Sequence, residues 1–294
     1  MKPEFFSKSW CGLNWTSWIP LNAPKEVFRE IPTSSGVYRV RPQEARQLAY
    51  IGQTGRGLRE RLRTLSIYTY GDEMPFNDPH TAAPGHWVLR VENGMTFECS
   101  AAPTGLGYQE RQCLEDMLLW KHRVEFGEST LCNHGRFHPN YSRSGSRKSG
   151  KRGEKLPLGE INLASGSSAQ SLQLNGKPQD SNWMGLSWSR LEALRTIDSH
   201  AISEKSGLYK ILDVSTHQLL YVGETRKLRN RIKAHSLRSW GHFEPLASYH
   251  AIADDVLDHQ LREMETDLIG SYYEISGKPP VFQYGKKPEQ LSDT

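Results

Sequence analysis

The chain has 294 residues and a formal net charge of +4, with an isoelectric point near 8.8, so it is weakly basic. This length accommodates one large domain or two modest ones, and 36% hydrophobic residues are typical of folded domains. No apolar run is long enough to span a membrane and the N-terminus lacks the apolar core of a signal peptide, so we expect no membrane partner. Four cysteines without metal-ligand spacing predict reduced thiols in a cytoplasmic protein.

The first elements along the chain are a predicted β-hairpin and a helix. Residues 36–41 and 48–52 are short runs of β-forming residues joined by a polar turn. The helix is predicted to begin after Thr54, which is a suitable N-cap residue. Its apolar face has the helical spacing i, i+4, i+7 and consists of Leu58, Leu62 and Leu65.

Three further elements and a linker are predicted next. Residues 86–91 and 96–101 predict two more strands, and residues 109–126 predict a long helix. The stretch 139–182 is first basic and then rich in Ser, Gln and Gly, which is typical of a linker. Seven basic residues and one acidic residue lie between 136 and 155. This basic part has two open interpretations, a solvated linker and a flexible arm that contacts phosphates.

The second half of the chain repeats the first. The segment WCGLNW at 10–15 returns as WMGLSW at 183–188, and the hairpin returns at 207–214 and 218–223. Matching landmarks in the same order indicate two copies of one domain rather than a solenoid, because each copy is long enough to bury its own core. The predicted organisation is a first domain at 1–138, a linker at 139–182 and a second domain at 183–294.

The second copy contains the same predicted elements as the first. Its first helix follows Thr225, again a suitable N-cap, and its long helix is predicted over 255–275. The positions that correspond to the first helix's apolar face are Leu228, Ile232 and His235.

Both copies resemble the GIY-YIG nuclease superfamily. The two tripeptides that name it read Gly36-Val-Tyr38 with Tyr50-Ile-Gly52, and Gly207-Leu-Tyr209 with Tyr221-Val-Gly223. The superfamily places an Arg on the following helix, often a His four residues later, a metal-binding Glu on a later helix and often an Asn near the end. The matching residues are Arg61, Glu115 and Asn133 in the first copy, and Arg231, His235 and Glu265 in the second.

The resemblance implies two α+β domains, each a small antiparallel sheet flanked by helices, and hydrolysis of phosphodiester bonds with Mg²⁺ or Mn²⁺. The glutamates would bind the metal, the arginines would hold a phosphate oxygen, and a tyrosine would act as the general base. The implied catalytic residues are Tyr38, Tyr50, Arg61 and Glu115, and Tyr209, Tyr221, Arg231, His235 and Glu265. The implied metal ligands are Glu115 and Glu265. The predicted DNA contacts are Arg59, Arg63, Asn133, Arg229 and Lys233.

Each copy departs from the full set of residues. Leu65 stands where the first copy should have the histidine, and Gln283 stands where the second should have the asparagine. Loss of the histidine bears more directly on catalysis than loss of the asparagine. We therefore favour the second copy as the active site. His80 is a candidate to replace the missing histidine, with an ordinary loop residue as the alternative. Glu224 is a candidate second metal ligand, with a turn carboxylate as the alternative.

Every assignment also has a structural alternative. The tyrosines are candidates for ordinary packing, the two arginines for a solvated basic face, and His235 for a core histidine. The two glutamates could instead form buried salt bridges. We expect the repeated tryptophan pairs to be core residues, with base stacking as the alternative.

The resulting hypothesis is a DNA endonuclease that acts on double-stranded DNA in restriction or in defence against invading DNA. Two linked domains would address both strands, and basic helices would supply salt-sensitive phosphate affinity. The alternatives are a non-catalytic nucleic-acid-binding protein and a structure-specific repair nuclease. RNA stays open as a substrate, and the oligomeric state is open.

Overall fold

The computed structural model describes residues 3–44 and 46–285, and its contacts divide the chain into two compact units. The first unit comprises Met1–Arg111 and Lys121–Ser168, and the second comprises Gln112–Trp120 and Ala169–Thr294. The described residues form five α-helices and two four-stranded antiparallel sheets. The predicted α+β fold class is therefore confirmed.

The first unit contains a sheet with strand order β1-β4-β2-β3. Its elements are β1 (Ile19–Pro20), β2 (Gly36–Pro42), β3 (Tyr50–Thr54), α1 (Leu58–Thr69), α2 (Ala83–Asn93), β4 (Phe97–Pro103) and α3 (Tyr108–Phe126), the middle of which belongs to the second unit. Strands β2 and β3 form the predicted hairpin, and Leu58, Leu62 and Leu65 of α1 pack in the core beside Tyr38. Because β2 is a central strand, it is buried on both faces.

The second unit repeats this arrangement with strand order β5-β8-β6-β7. Its elements are β5 (Glu192–Ala193), β6 (Gly207–Asp213), β7 (Leu219–Thr225), α4 (Leu228–Ser236), β8 (Pro245–Ala251) and α5 (Asp258–Ser276). In both sheets the order is first, fourth, second, third along the chain. Across residues 3–44 and 46–285, no helix is long and apolar enough to cross a membrane.

The segment 139–182, predicted to be a linker, is divided between the two units at Ser168. Its first part has regular backbone pairing: the Ser142 N–H donates to the Glu154 carbonyl at 2.9 Å, and Tyr141 pairs with Lys155 in an antiparallel bridge. The structure therefore differs from the predicted boundaries, because polar and glycine-rich composition does not exclude an ordered path along a domain surface.

Two local predictions are wrong. Residues 86–91, predicted to be a strand, lie in helix α2, which has a proline in its first turn and ends at the left-handed Gly94. A window of six residues, which is less than two turns of helix, does not separate a strand from a helix. The threonines predicted as N-caps lie before the helices: Thr54 Oγ1 accepts from the Arg56 N–H, and Thr225 Oγ1 accepts from the Lys227 N–H. The helices begin after Gly57 and Lys227 instead.

The tryptophan pairs are core residues, as predicted, and each pair encloses a buried cation from the central strand. The Arg39 guanidinium lies 4.1 Å from the Trp15 ring and donates to the Phe5 and Ser7 carbonyls. In the second unit, Lys210 Nζ lies 4.4 Å from the Trp188 ring. Burial lowers the pKa of Arg39 to about 9 and that of Lys210 to about 7.

The buried lysine makes the stability of the second unit depend on pH. Below about pH 7 Lys210 is charged in both states, whereas above it the folded state releases the proton and the unfolded state keeps it until near pH 10.5. We therefore expect the free energy of unfolding to rise above pH 7, by at most about 1.4 kcal/mol per pH unit. Urea denaturation followed by tryptophan fluorescence should show this rise in the wild type and in the exposed control Lys205→Met. An equal rise in Lys210→Met would contradict the assignment.

Candidate functional site

In each unit the first tyrosine of the hairpin lies across a glycine of the neighbouring strand. Tyr38 pairs with Gly52, and Tyr209 pairs with Gly223. A β-carbon at Gly52 would lie 2.6 Å from Tyr38 Oη, and one at Gly223 would lie 2.2 Å from Tyr209 Oη. Both distances are far below van der Waals contact, so any side chain there would displace the phenol ring. The glycine of the second tripeptide thus fixes the position of the hydroxyl of the first.

The hydroxyl of Tyr209 is bonded to an imidazole of the following helix. His235 Nε2 lies 3.0 Å from Tyr209 Oη, and the Tyr221 ring completes the cluster at 5.4 Å from the His235 ring. Burial, together with Arg238 and Arg231, lowers the pKa of His235 to about 4, so the imidazole is neutral at pH 7. Burial also raises the pKa of Tyr209, so its hydroxyl keeps the proton.

The first unit has the same tyrosine–imidazole bond, with a histidine from a different element. His80, in the loop before α2, lies with Nε2 2.9 Å from Tyr38 Oη and is fully buried. The Ala82 N–H donates to His80 Nδ1, so the ring proton is on Nε2 and is donated to Tyr38 Oη. His80 therefore makes, in the first unit, the tyrosine contact that His235 makes in the second. Leu65, where a histidine was expected, packs in the core.

An open cleft lies beside this bond in the first unit. Arg61 Nη1 donates to the Pro79 carbonyl at 2.6 Å, and its Nε makes a longer bond of 3.4 Å to Tyr38 Oη. The cleft has a volume of about 690 Å³. Its polar lining includes Thr54, Arg56, Arg61 and Arg111, with Tyr108 at its exposed edge. Three guanidinium groups around one opening are suited to binding a phosphate.

The second unit has a smaller cleft at the corresponding place, of about 380 Å³, lined by Thr225, Arg226, Lys227, Asn230, Arg231 and Ala234. Burial raises the pKa values of Tyr209, Tyr221 and Glu265, and the exposed Arg231 lies near enough to all three to offset part of that rise. The implied residues of the second copy are thus brought together around one hydroxyl.

The carboxyl of Glu265 is surrounded by other acidic groups. Burial, followed by the charges of Glu224 and Asp116, raises its pKa to about 8, although the Glu224 N–H donates to it. Asp116, which the sequence analysis did not single out, is buried and accepts from Tyr284 Oη at 2.7 Å. The only sequence signal for Asp116 was its place directly after Glu115.

The carboxylates present fit a hard cation with few protein ligands. Within residues 3–44 and 46–285, no group of three or more His, Cys, Asp or Glu side chains could hold a metal ion. Glu265 and the nearby Glu224 are the remaining oxygen donors in the second unit. Burial raises the pKa of both carboxyls, and a bound cation would lower those pKa values again. Mg²⁺ is commonly bound by one or two carboxylates, with water and substrate phosphate completing its shell.

Glu115 is half-buried on α3, in the stretch assigned to the second unit, so the first unit alone supplies Tyr38, Tyr50, His80 and Arg61.

Asn133 has a structural role, so its prediction as a DNA contact is wrong. Its Oδ1 accepts from the Ile51 N–H at 2.9 Å, and its Nδ2 donates to the Ile51 carbonyl at 2.8 Å. The buried side chain therefore satisfies the edge strand β3. Gln283 Oε1 accepts from the Val222 N–H at 3.1 Å, at the matching place in β7. The exchange of Asn for Gln preserves this contact.

The basic residues predicted to contact DNA divide into two groups. Arg59 donates to the Ile31 and Arg29 carbonyls, and Arg229 donates to the Ile202 and His200 carbonyls and pairs with Glu204. These two arginines hold the segment before the hairpin, and their role as DNA contacts stays a prediction. Arg63 and Lys233 are exposed, and their role as DNA contacts stays a prediction.

Comparisons with known proteins found no match to the chain. No model of a protein family matches the chain. No curated protein and no solved structure matches it significantly.

Proposed function

We propose that the chain is a Mg²⁺-dependent endonuclease of the GIY-YIG type that hydrolyses phosphodiester bonds in double-stranded DNA. One observation carries the proposal: both units hold a hairpin tyrosine against a neutral imidazole, 2.9 Å away in one and 3.0 Å away in the other. The two histidines come from different elements. Recovery of the same bond by a different route is hard to explain by packing alone and supports a chemical role for the hydroxyl.

The same observation removes the reason for preferring the second copy as the active site. That preference rested on Leu65, and His80 now supplies the imidazole in the first unit. The first unit also has the larger cleft. We therefore propose one active site in each unit, with Glu265 as the metal ligand of the second. Glu115 lies in the stretch of α3 assigned to the second unit, so we do not propose it as a ligand of the first.

The residues divide the work of hydrolysis as follows. Arg61 and Arg231 would bind a non-bridging phosphate oxygen at the clefts through their planar forks of N–H donors. Tyr209 would accept the proton of the attacking water as it passes its own proton to His235 Nε2, so that no free phenolate is needed. In the first unit, His80 Nε2 and Arg61 Nε both donate to Tyr38 Oη, so His80 cannot take the Tyr38 proton. The two N–H groups would instead stabilise the phenolate that forms when Tyr38 gives its proton to a solvent hydroxide, and this phenolate would then accept the proton of the attacking water. A bound divalent cation would supply positive charge to the phosphate.

The proposal is tested by incubating supercoiled plasmid with the purified chain in Mg²⁺ or Mn²⁺, with EDTA as the control. We expect nicked and then linear DNA with the metal and neither product with EDTA. Tight, salt-sensitive binding without cleavage of duplex, branched or single-stranded DNA would instead favour the non-catalytic binding protein. Cleavage confined to branched DNA would favour the repair nuclease, and discrete fragments from linear duplexes would favour a restriction enzyme.

A further inference from the structure

Residues 142–155, here named the basic loop, are a strongly charged surface segment that the proposed catalytic sites do not use. The loop contains six basic residues and one acidic residue, Glu154. Its ends are paired: the Glu154 N–H donates to Ser142 Oγ at 3.0 Å, and the Gly145 N–H donates to the Lys151 carbonyl at 2.9 Å. The basic loop is thus a shaped excursion of the first unit rather than the flexible arm or solvated linker considered from the sequence.

The basic loop is docked against the loop that carries His80. The Asn77 N–H donates to the Gly145 carbonyl at 3.0 Å, and Arg152 Nη1 donates to the Met74 carbonyl at 2.9 Å. The Arg147 N–H donates to the Asp78 carboxylate. Three separate contacts hold the two loops together.

This docking places the basic loop beside the cleft of the first unit. Asp78, which accepts from the basic loop, directly precedes Pro79, which lines the cleft and accepts from Arg61. His80 follows and donates to Tyr38. Residues 78–80 therefore join the basic loop to the proposed catalytic groups. Asp78 contacts the basic loop, and the next two residues contact Arg61 and Tyr38.

Five of the six cations of the basic loop divide into anchors and exposed charges. Arg152 pairs with Glu73 at 2.8 Å, and Lys155 pairs with Glu92 at 3.0 Å. Arg147, Lys148 and Lys151 are exposed, and none of them forms an ion pair within the described part of the chain. Three like charges held together on one ordered loop repel one another unless an anion neutralises them.

We propose that the basic loop binds the sugar–phosphate backbone of DNA next to the cleft of the first unit, through Arg147, Lys148 and Lys151. This inference rests on the proposed function and names the surface that holds the flanking strand. Contacts to phosphates fix the register of a nucleic acid without reading its sequence, and each releases bound counterions. The basic loop would therefore govern affinity and its salt dependence, whereas Tyr38, His80 and Arg61 would govern the chemical step.

The test is a triple variant, Arg147→Gln with Lys148→Gln and Lys151→Gln. Binding of a fluorescein-labelled duplex is measured by anisotropy in EDTA between about 50 and 200 mM salt. Three lost phosphate contacts should reduce the slope of log Kd against log salt by about 2.7. In Mg²⁺, in a Glu265→Gln background that leaves the first unit to cut, the triple variant should raise KM and leave kcat unchanged.

The matched control removes three exposed charges that line neither cleft, by Lys25→Gln, Arg29→Gln and Arg195→Gln. We expect this control to keep most of the wild-type slope. Equal slopes in the wild type and the basic-loop variant, with DNA binding intact, would overturn the inference alone. Failure of the wild type to bind any duplex at low salt would overturn both the inference and the proposed function.

Discussion

Glu265→Gln is expected to reduce Mg²⁺-dependent strand cleavage by the second unit at least about 100-fold, which corresponds to about 3 kcal/mol of transition-state stabilisation. The substitution keeps the size of the side chain and removes the charge that would bind the metal. Because the first unit would still cut, the expected product from supercoiled plasmid is nicked circles rather than linear DNA. Quantifying the two products on agarose gels measures the change.

A matched control for this prediction lies on the same helix. Glu274→Gln removes an exposed carboxylate of α5 and should leave the ratio of linear to nicked product as in the wild type. Tyr38→Phe should also favour nicked circles, and the double variant of Tyr38 and Glu265 should cut neither strand. Undiminished linear product from the Glu265 variant, in protein shown to be folded, would end its assignment as the metal ligand.

The second large effect is expected at His80. In a Glu265→Gln background, which isolates the first unit, His80→Ala should reduce the nicking rate about 100-fold, a size typical of losing one hydrogen-bond donor to a developing negative charge. The structural cause is the loss of the N–H that is donated to Tyr38 Oη at 2.9 Å. Tyr38→Phe should cause a loss at least as large, because it removes the hydroxyl itself.

A rescue experiment distinguishes this chemical role from simple packing. Leu65 occupies the position on α1 that His235 occupies on α4, where the imidazole reaches the tyrosine. Leu65→His added to His80→Ala should restore part of the nicking rate. His138→Ala, which removes a partly buried imidazole outside the site, should have little effect. If the His80 variant retains full nicking and the wild-type pH profile, the hydrogen bond has no part in the reaction.

The parts of the site that sequence reasoning could anticipate are those set by local patterns. The hairpins follow from short β-forming runs around a polar turn, and α1 follows from leucines at helical spacing. Arg61 and Arg231 could be placed because each lies on the helix directly after the hairpin. Positions of this kind depend on a few neighbouring residues. The spacing of the apolar residues and the distance along the chain from the hairpin are sufficient to define them.

The remaining parts depend on contacts between distant residues. His80 is 42 residues from Tyr38, and nothing in its own loop reveals which hydroxyl it meets. Asn133 was mistaken for a DNA contact because its true partner, the backbone of Ile51, is 82 residues away. Helix α2 was mistaken for a strand because a window of six residues is too short to separate the two periods. A tertiary contact decided the first two cases.

The tyrosine resting on a bare glycine has a consequence for how the two units would meet a substrate. With the strand backbone under the ring and an imidazole at its oxygen, the phenol has little freedom to reorient before a reaction begins. The orientation of the phenol would then be fixed when the chain folds rather than when DNA binds. The reaction would therefore avoid the free-energy cost of reorienting a mobile group on the way to the transition state.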